Sequence, residues 1–239
     1  TLRALDLPWI SSDTAKRLEW FNQSLINVQG EDGVWTNFSY KNPGWPVTPQ
    51  HPVCFISATD AARICAWLTW KERKEGRLKP NQRYRLPTTE EWLVACGGPT
   101  AVPRLGNVAG PEAREGLWPK TMPTFDTSDP FPRTAPVGSF AVELHGLYDI
   151  SGNVAEWVSD SQADPSRMTP TELRQSFHVR GPAFSDGSPD MVSFSHVRPS
   201  LPNKRVVSIG FRMVLEWQEG LSSLPQSSGR EAHGTAGSE

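Results

Sequence analysis

With 239 residues, 37% hydrophobic and 10% aromatic, the chain can close a core, yet no run approaches the roughly 18 apolar residues of a membrane span. Twenty-four basic against 26 acidic residues leave a formal net charge of -2 and no long basic stripe, which excludes a nucleic-acid backbone as the expected partner. Twenty-two Pro and 19 Gly exclude a helical bundle and point to a loop-rich fold.

The opening text, "TLRALDLPWISSD", has neither the charged start nor the apolar core of a signal peptide, and it lacks a Met. Three cysteines, Cys54, Cys65 and Cys96, do not make the even framework of a stapled secreted domain, so a reducing, cytoplasmic compartment is favoured. Residues 14 to 26 place Leu18, Phe21, Leu25 and Ile26 near helical spacing after a Ser-Ser-Asp start, which predicts a short helix. Residues 27 to 52 are punctuated by Pro and Gly and read as irregular, surface-wrapping chain.

A short strand is expected at "VCFI", followed by the clearest helix. Ser57 to Asp60 form a capping-box-like start; Ala61, Ile64, Cys65 and Leu68 form its buried stripe; charge dissolves it near Gly76. A second helix opens at "LPTTEEWLVAC", with Thr88 and Glu91 able to cap reciprocally and Trp92 and Ala95 facing inward. Cys65 and Cys96 sit on these helices as buried small apolar residues. Beyond Gly97 the chain is loop, with one further helix at "PTELRQSF" and strand candidates at "APVGSF", "HVRG" and "IGFRMVLEW". From about residue 219 the text is rich in Ser and Gly and reads as a flexible tail or linker. The fold class is α+β, coil-rich, with short antiparallel strands and two main helices.

One segment carries chemistry. In "GLYDISGNVAEWVSD", Asp149 and Glu156 converge across a turn at Gly152, an arrangement open to two readings: an oxygen cage for a hard cation, or a hairpin with solvated acids. No nucleophile elbow, Walker loop or dinucleotide fingerprint occurs. His51, His145, His178, His196 and His233 are isolated; His178 and His196 are the two worth mutating. In "GFRMV", Gly210 permits a tight backbone approach, Phe211 plugs the core, and a buried Arg212 must find an acid or carbonyls.

Four phrases, "HPVCFISATDAARICAWL", "RYRLPTTEEW", "GLYDISGNVAEWVSD" and "SIGFRMV", occur in an order that resembles the formylglycine-generating enzyme (sulfatase-modifying factor) family, a distant variant of the C-type lectin fold. The resemblance runs from about Pro43 to Val214. It divides the chain into a divergent segment 1–42 packing on the domain, a domain 43–218 and a tail 219–239. The family's opening Gly-Gly-x-Phe-x-Met-Gly text is missing from the first segment.

The resemblance implies two calcium ions. One would use the Asn107 side chain, the Val108 carbonyl, the Asp129 side chain and the Phe131 carbonyl. The other would use Asp149, the carbonyls of Gly152 and Val154, and the Glu156 carboxylate. Asp149 stands where the family often has Asn, and adds a negative charge. All eight positions carry competent oxygen donors for a mixed carboxylate and carbonyl shell.

For catalysis the family implies a copper site of two cysteines, since soft thiolates select Cu(I). Here the two positions fall at about Asp186 and Met191, and no Cys follows Cys96. The His-x-x-x-His-x-Glu spacing of the related sulfoxide synthases is also absent. The expectation is therefore a non-catalytic, calcium-stabilised domain. It would present Phe184, Asp186, Met191, Phe194, His196, Arg198, Lys204 and Arg205 on a C-terminal loop face for a peptide or protein, alone or as a module of a larger polypeptide. Rival readings are a metal-dependent oxidoreductase of altered chemistry and a retroelement-diversified binding protein.

Overall fold

The computed structural model describes residues 26–29, 35–114, 121–161, 167–198 and 200–218. The helix expected over 14–26, apart from Ile26, and the tail from 219 lie outside them.

Strands β1 (Ile26–Gln29) and β2 (Trp35–Phe38) pair antiparallel, Ile26 opposite Phe38 and Gln29 opposite Trp35. This corrects the expectation of irregular chain from 27 to 52. Val, Thr and aromatic residues before Ser39 favour a pleated pair, and the Pro-rich punctuation begins only after Asn42. The strand expected at Val53–Ile56 is also absent, because Phe55 takes φ 61, a left-handed conformation that interrupts extended chain.

Helix α1 (Ala58–Lys74) begins at Ser57, whose hydroxyl accepts from the Asp60 N–H while the Asp60 carboxylate accepts from the Ser57 N–H. Basic Lys71, Arg73 and Lys74 fill its last turn, where the negative end of the helix dipole favours them. Strand β3 (Gln82–Arg85) follows. Helix α2 (Thr89–Ala95) is capped in the same reciprocal way by Thr88 and Glu91. Helix α3 (Pro170–Ser176) starts with a third capping box, Thr169 with Glu172, and α4 (Pro189–Val192) is a single turn.

Strand β4 (Ala155–Ser159) is the centre of the domain. It pairs antiparallel with β5 (Phe177–Arg180) and parallel with β6 (Ile209–Gly210), so one parallel pair joins the expected antiparallel ones. Strand β7 (Val214–Trp217) leaves that sheet to pair with β3, which splits "IGFRMVLEW" between two sheets. "APVGSF" forms no strand.

Every residue of β4 is buried, because both its faces are covered. Trp157 packs among Ile56, Cys65, Leu86, Phe177 and Val179, and its indole N–H donates to the Ile56 carbonyl at 3.0 Å. Val158 packs on the other side with Trp92, Ile150 and Phe194. Gly210 allows the close approach expected of it: a Cβ there would lie 2.5 Å from the Val53 carbonyl oxygen. No helix among the described residues is long and apolar enough to cross a membrane.

Candidate functional site

The residues expected to hold two cations lie in loops, Asn107, Val108, Asp129 and Phe131 in one set and Asp149, Gly152, Val154 and Glu156 in the stretch that runs into β4. In the first, Asn107 is 1% exposed and its Nδ2 donates to the Arg133 carbonyl at 2.7 Å and to Asn153 Oδ1 at 3.3 Å. With the nitrogen end engaged, Asn107 Oδ1 remains buried without a hydrogen-bond partner. Such an orphan acceptor costs stability unless something else satisfies it. Val108 is buried beside it. Asp129 accepts the Phe131 N–H at 2.7 Å, and its carboxyl is raised above the ordinary range by desolvation, with the nearby Glu112 charge adding to the shift.

In the second cluster, Asp149 and Asn153 both take left-handed backbone, φ 59 and 72, which Asp and Asn accept more readily than most side chains. Asp149 Oδ2 accepts the Gly138 N–H at 2.8 Å, while its Oδ1 is buried without a partner. Desolvation raises the Asp149 carboxyl; the charges of Glu156 and Glu143 push the same way and Arg212 opposes them. Glu156, 5% exposed, receives the Trp92 indole N–H at 2.8 Å and Arg212 Nε at 2.6 Å. Arg212 thus finds the acid its burial requires, and it also donates to the Tyr148 carbonyl at 3.2 Å. Desolvation works against the Arg212 charge, but the carboxylates of Glu156, Asp149 and Glu143 all act on the guanidinium and outweigh it.

Gly152 and Val154 flank Asn153, and Val154 is buried. Among the described residues no three His, Cys, Asp or Glu side chains converge as a metal cluster. A cation held in either loop would therefore rely on carbonyl and amide oxygens beside one or two carboxylates. The orphaned Oδ1 atoms of Asn107 and Asp149, one in each loop, are oxygens of the type such a cation would take.

The expected C-terminal face is divided. Phe184, Asp186 and Phe194 are 2%, 1% and 2% exposed and belong to the interior, which corrects their placement on a binding surface. Phe184 meets Trp45 edge-on at 5.4 Å and Phe194 meets Trp92 at 5.6 Å. Asp186 is kept buried by Arg198, which reaches both its carboxylate oxygens, and by the Ala183 N–H at 2.8 Å. Arg205 pairs with the buried Asp60 at 2.8 Å. Arg198 and Arg205 are thus anchors of the loop. Met191 and His196 are half-buried and Lys204 is exposed. Two exposed residues escaped the sequence reading, Val197 (48%) and Leu201 (40%). Their signal was two apolar side chains in the polar, Pro-broken text "HVRPSLPNK".

His178 Nε2 stands 3.6 Å from an Asp160 oxygen, but that carboxylate is already engaged by the Thr89 N–H at 2.7 Å and hydroxyl at 2.8 Å. The three cysteines are buried, and burial raises the thiols of Cys54 and Cys65 to about 12.

Comparison with known proteins agrees with this architecture. The family described as "Sulfatase-modifying factor enzyme 1-like domain" matches residues 12–217, a span that enters the segment before Pro43. A formylglycine-generating enzyme of Thermomonospora curvata is 37% identical over 127 residues, covering 50% of this chain and 37% of that protein. The inactive C-alpha-formylglycine-generating enzyme 2 of Mus musculus is 37% identical over 114 residues, covering 46% of this chain and 32% of that protein. The chain thus spans about a third of the length of these curated relatives. The solved structure of PvdO from Pseudomonas aeruginosa superposes with a TM-score of 0.53 at 24% identity, covering 85% of this chain and 77% of that one, a likeness of fold. The chain belongs to the sulfatase-modifying factor enzyme 1-like domain family.

Proposed function

We propose that this chain is a non-catalytic, calcium-stabilised member of its family that recognises a peptide or protein through its C-terminal loop. The observation that carries the calcium reading is the pair of buried, partnerless oxygens, Asn107 Oδ1 and Asp149 Oδ1, one in each expected loop. Ca²⁺ accepts six to eight oxygens in irregular geometry, so carbonyls of Val108, Phe131, Gly152 and Val154 would have to complete sets that side chains alone do not. The ions would tie together loops that have little regular structure of their own.

The non-catalytic reading is supported by the donor set. A thiolate copper site needs cysteine, and none follows Cys96. At the position expected for one thiolate, Asp186 is spent on Arg198, and a relative at 37% identity is itself named inactive. Recognition then falls to the accessible part of the loop, where Val197, Leu201 and Lys204 are exposed and Met191 and His196 half-buried, apolar side chains together with a cation. Ligands of this face would be apolar segments with an acidic neighbour, on a free peptide, a protein or another part of a longer polypeptide.

The test is metal analysis and melting of the purified chain. Calcium at about two per chain, with a melting temperature that falls on chelation and returns on adding Ca²⁺, is the expected result. Stoichiometric copper or iron with oxygen uptake would replace this reading by the oxidoreductase one.

A further inference from the structure

We propose that Asn153 couples the two calcium sites, so that filling either one tightens the other; the inference rests on the calcium reading above. Asn153 is 1% exposed and every polar group it owns is committed. Its Oδ1 accepts the Ala135 N–H at 2.9 Å and Asn107 Nδ2 at 3.3 Å, and its Nδ2 donates to the Ala135 carbonyl at 3.0 Å. Its own N–H donates to the Asn107 carbonyl at 2.8 Å, and its carbonyl accepts the Phe184 N–H at 2.9 Å.

The positions of these partners give the coupling its route. Asn153 lies between Gly152 and Val154, whose carbonyls belong to the second site. Asn107 is a side-chain ligand of the first. By holding Asn107 Nδ2, Asn153 and the Arg133 carbonyl decide which end of that amide is left over for a cation. Ala135 closes the segment that begins at Asp129 and Phe131, so one side chain clamps both halves of the first site.

Packing makes the link stiff. A Cβ on Gly152 would lie 2.6 Å from the Asn107 carbonyl oxygen and 2.8 Å from its nitrogen, so the second loop cannot shift without moving the first. Asn153 holds this contact from a left-handed φ of 72, a conformation that Asn accepts more readily than most side chains. Ordering the 152–154 carbonyls around one ion therefore orders Asn107 for the other. Thermodynamic linkage makes the effect equal in both directions.

The experiment is calorimetric titration of CaCl2 into the chelator-stripped chain, in wild type and in N107A, D149A and N153G. Glycine at 153 removes the side chain yet keeps the left-handed backbone accessible. Wild type is expected to bind two ions with a Hill coefficient above 1. N107A and D149A should each bind one ion, roughly 5-fold or more weakly than the same site in wild type. In N153G the two ions should bind independently. No calcium uptake by wild type would sink the calcium reading itself. One ion bound in N107A and in D149A, each with the affinity the surviving site has in wild type, would leave that reading standing and overturn the coupling. Coupling of wild-type size in N153G would remove Asn153 from it, and should N153G not fold, the two ligand variants still decide whether the sites are linked.

Discussion

Asp186, 1% exposed, holds the guanidinium of Arg198 by both carboxylate oxygens, and through it pins the loop that follows Phe194 to the interior. The same arginine's N–H on the main chain bonds the Val179 carbonyl of β5 at 3.2 Å, so the pair also sets the edge of the central sheet. A buried pair of this kind gains little over an apolar one, but breaking it strands a charge. R198M should therefore destabilise the domain by about 3–5 kcal/mol in urea unfolding. The double variant D186L with R198M should recover most of the loss. A double variant no more stable than R198M alone would show that the pair specifies packing no apolar couple can replace.

What was legible in the sequence was local. The caps of α1 and α2 are written within four residues, Ser57 with Asp60 and Thr88 with Glu91, and the structure realises both. The burial of Trp92, Cys65 and Cys96 follows from the same helical stripes. What escaped depends on distant partners. β1 and β2 were hidden by the turn-rich text around them, and the parallel pairing of Ala155 with Ile209 joins residues far apart in the chain. Asp186 looked like a surface acid because nothing near it in sequence announces Arg198. For the cation loops, the donor identities of Asn107 and Asp149 were readable from the motif, whereas the orientation that leaves one oxygen of each without a partner is set by Asn153, Arg133 and Gly138.

Glu91 should shape the acid limb of stability. Its bidentate pairing with Arg85, at 2.6 and 2.7 Å, and the Thr88 N–H hold its carboxyl down at about 2. A carboxylate depressed on folding stabilises the native state above its unfolded value near 4.3, and that contribution disappears as pH falls toward 2. Glu91 is 42% exposed, so solvent screening limits the effect to about 1 kcal/mol or less. In E91Q, unfolding free energy measured from pH 6 to pH 2 should fall less steeply than in wild type. Identical slopes would show that the pair is broken in solution.

The thiols of Cys54 and Cys65 should be inert in the folded chain. Burial favours the neutral form and raises both to about 12, so at pH 8 almost no thiolate is present to attack an alkylating reagent. Cys96, raised in the same direction and 5% exposed, is expected to react slowly as well. Mass spectrometry after iodoacetamide treatment should find no label at Cys54 or Cys65 in native protein and three labels in urea. Fast native labelling of Cys65 would mean that the contact of α1 with the central sheet opens on the time scale of the reaction.

Gly181 separates two costs that usually come together. It follows β5 at φ +81, and a Cβ there would lie 2.8 Å from Cζ2 of the Trp92 ring. That ring cannot swing aside, because it is 1% exposed, packed on Phe194, and tied to Glu156 by its indole N–H. Gly76, just beyond α1, has a similar φ of +72 with nothing within 4 Å of the same point. G76A should therefore cost only the left-handed strain, about 1–2 kcal/mol. G181A should add about 1–3 kcal/mol for the forced displacement of the indole. Paired urea curves measure the difference directly, and near-ultraviolet circular dichroism should register the moved tryptophan in G181A alone. Equal losses in the two variants would mean that the Trp92 side of the core yields to a methyl group, and that the Trp92–Glu156–Arg212 chain is looser than its hydrogen bonds imply.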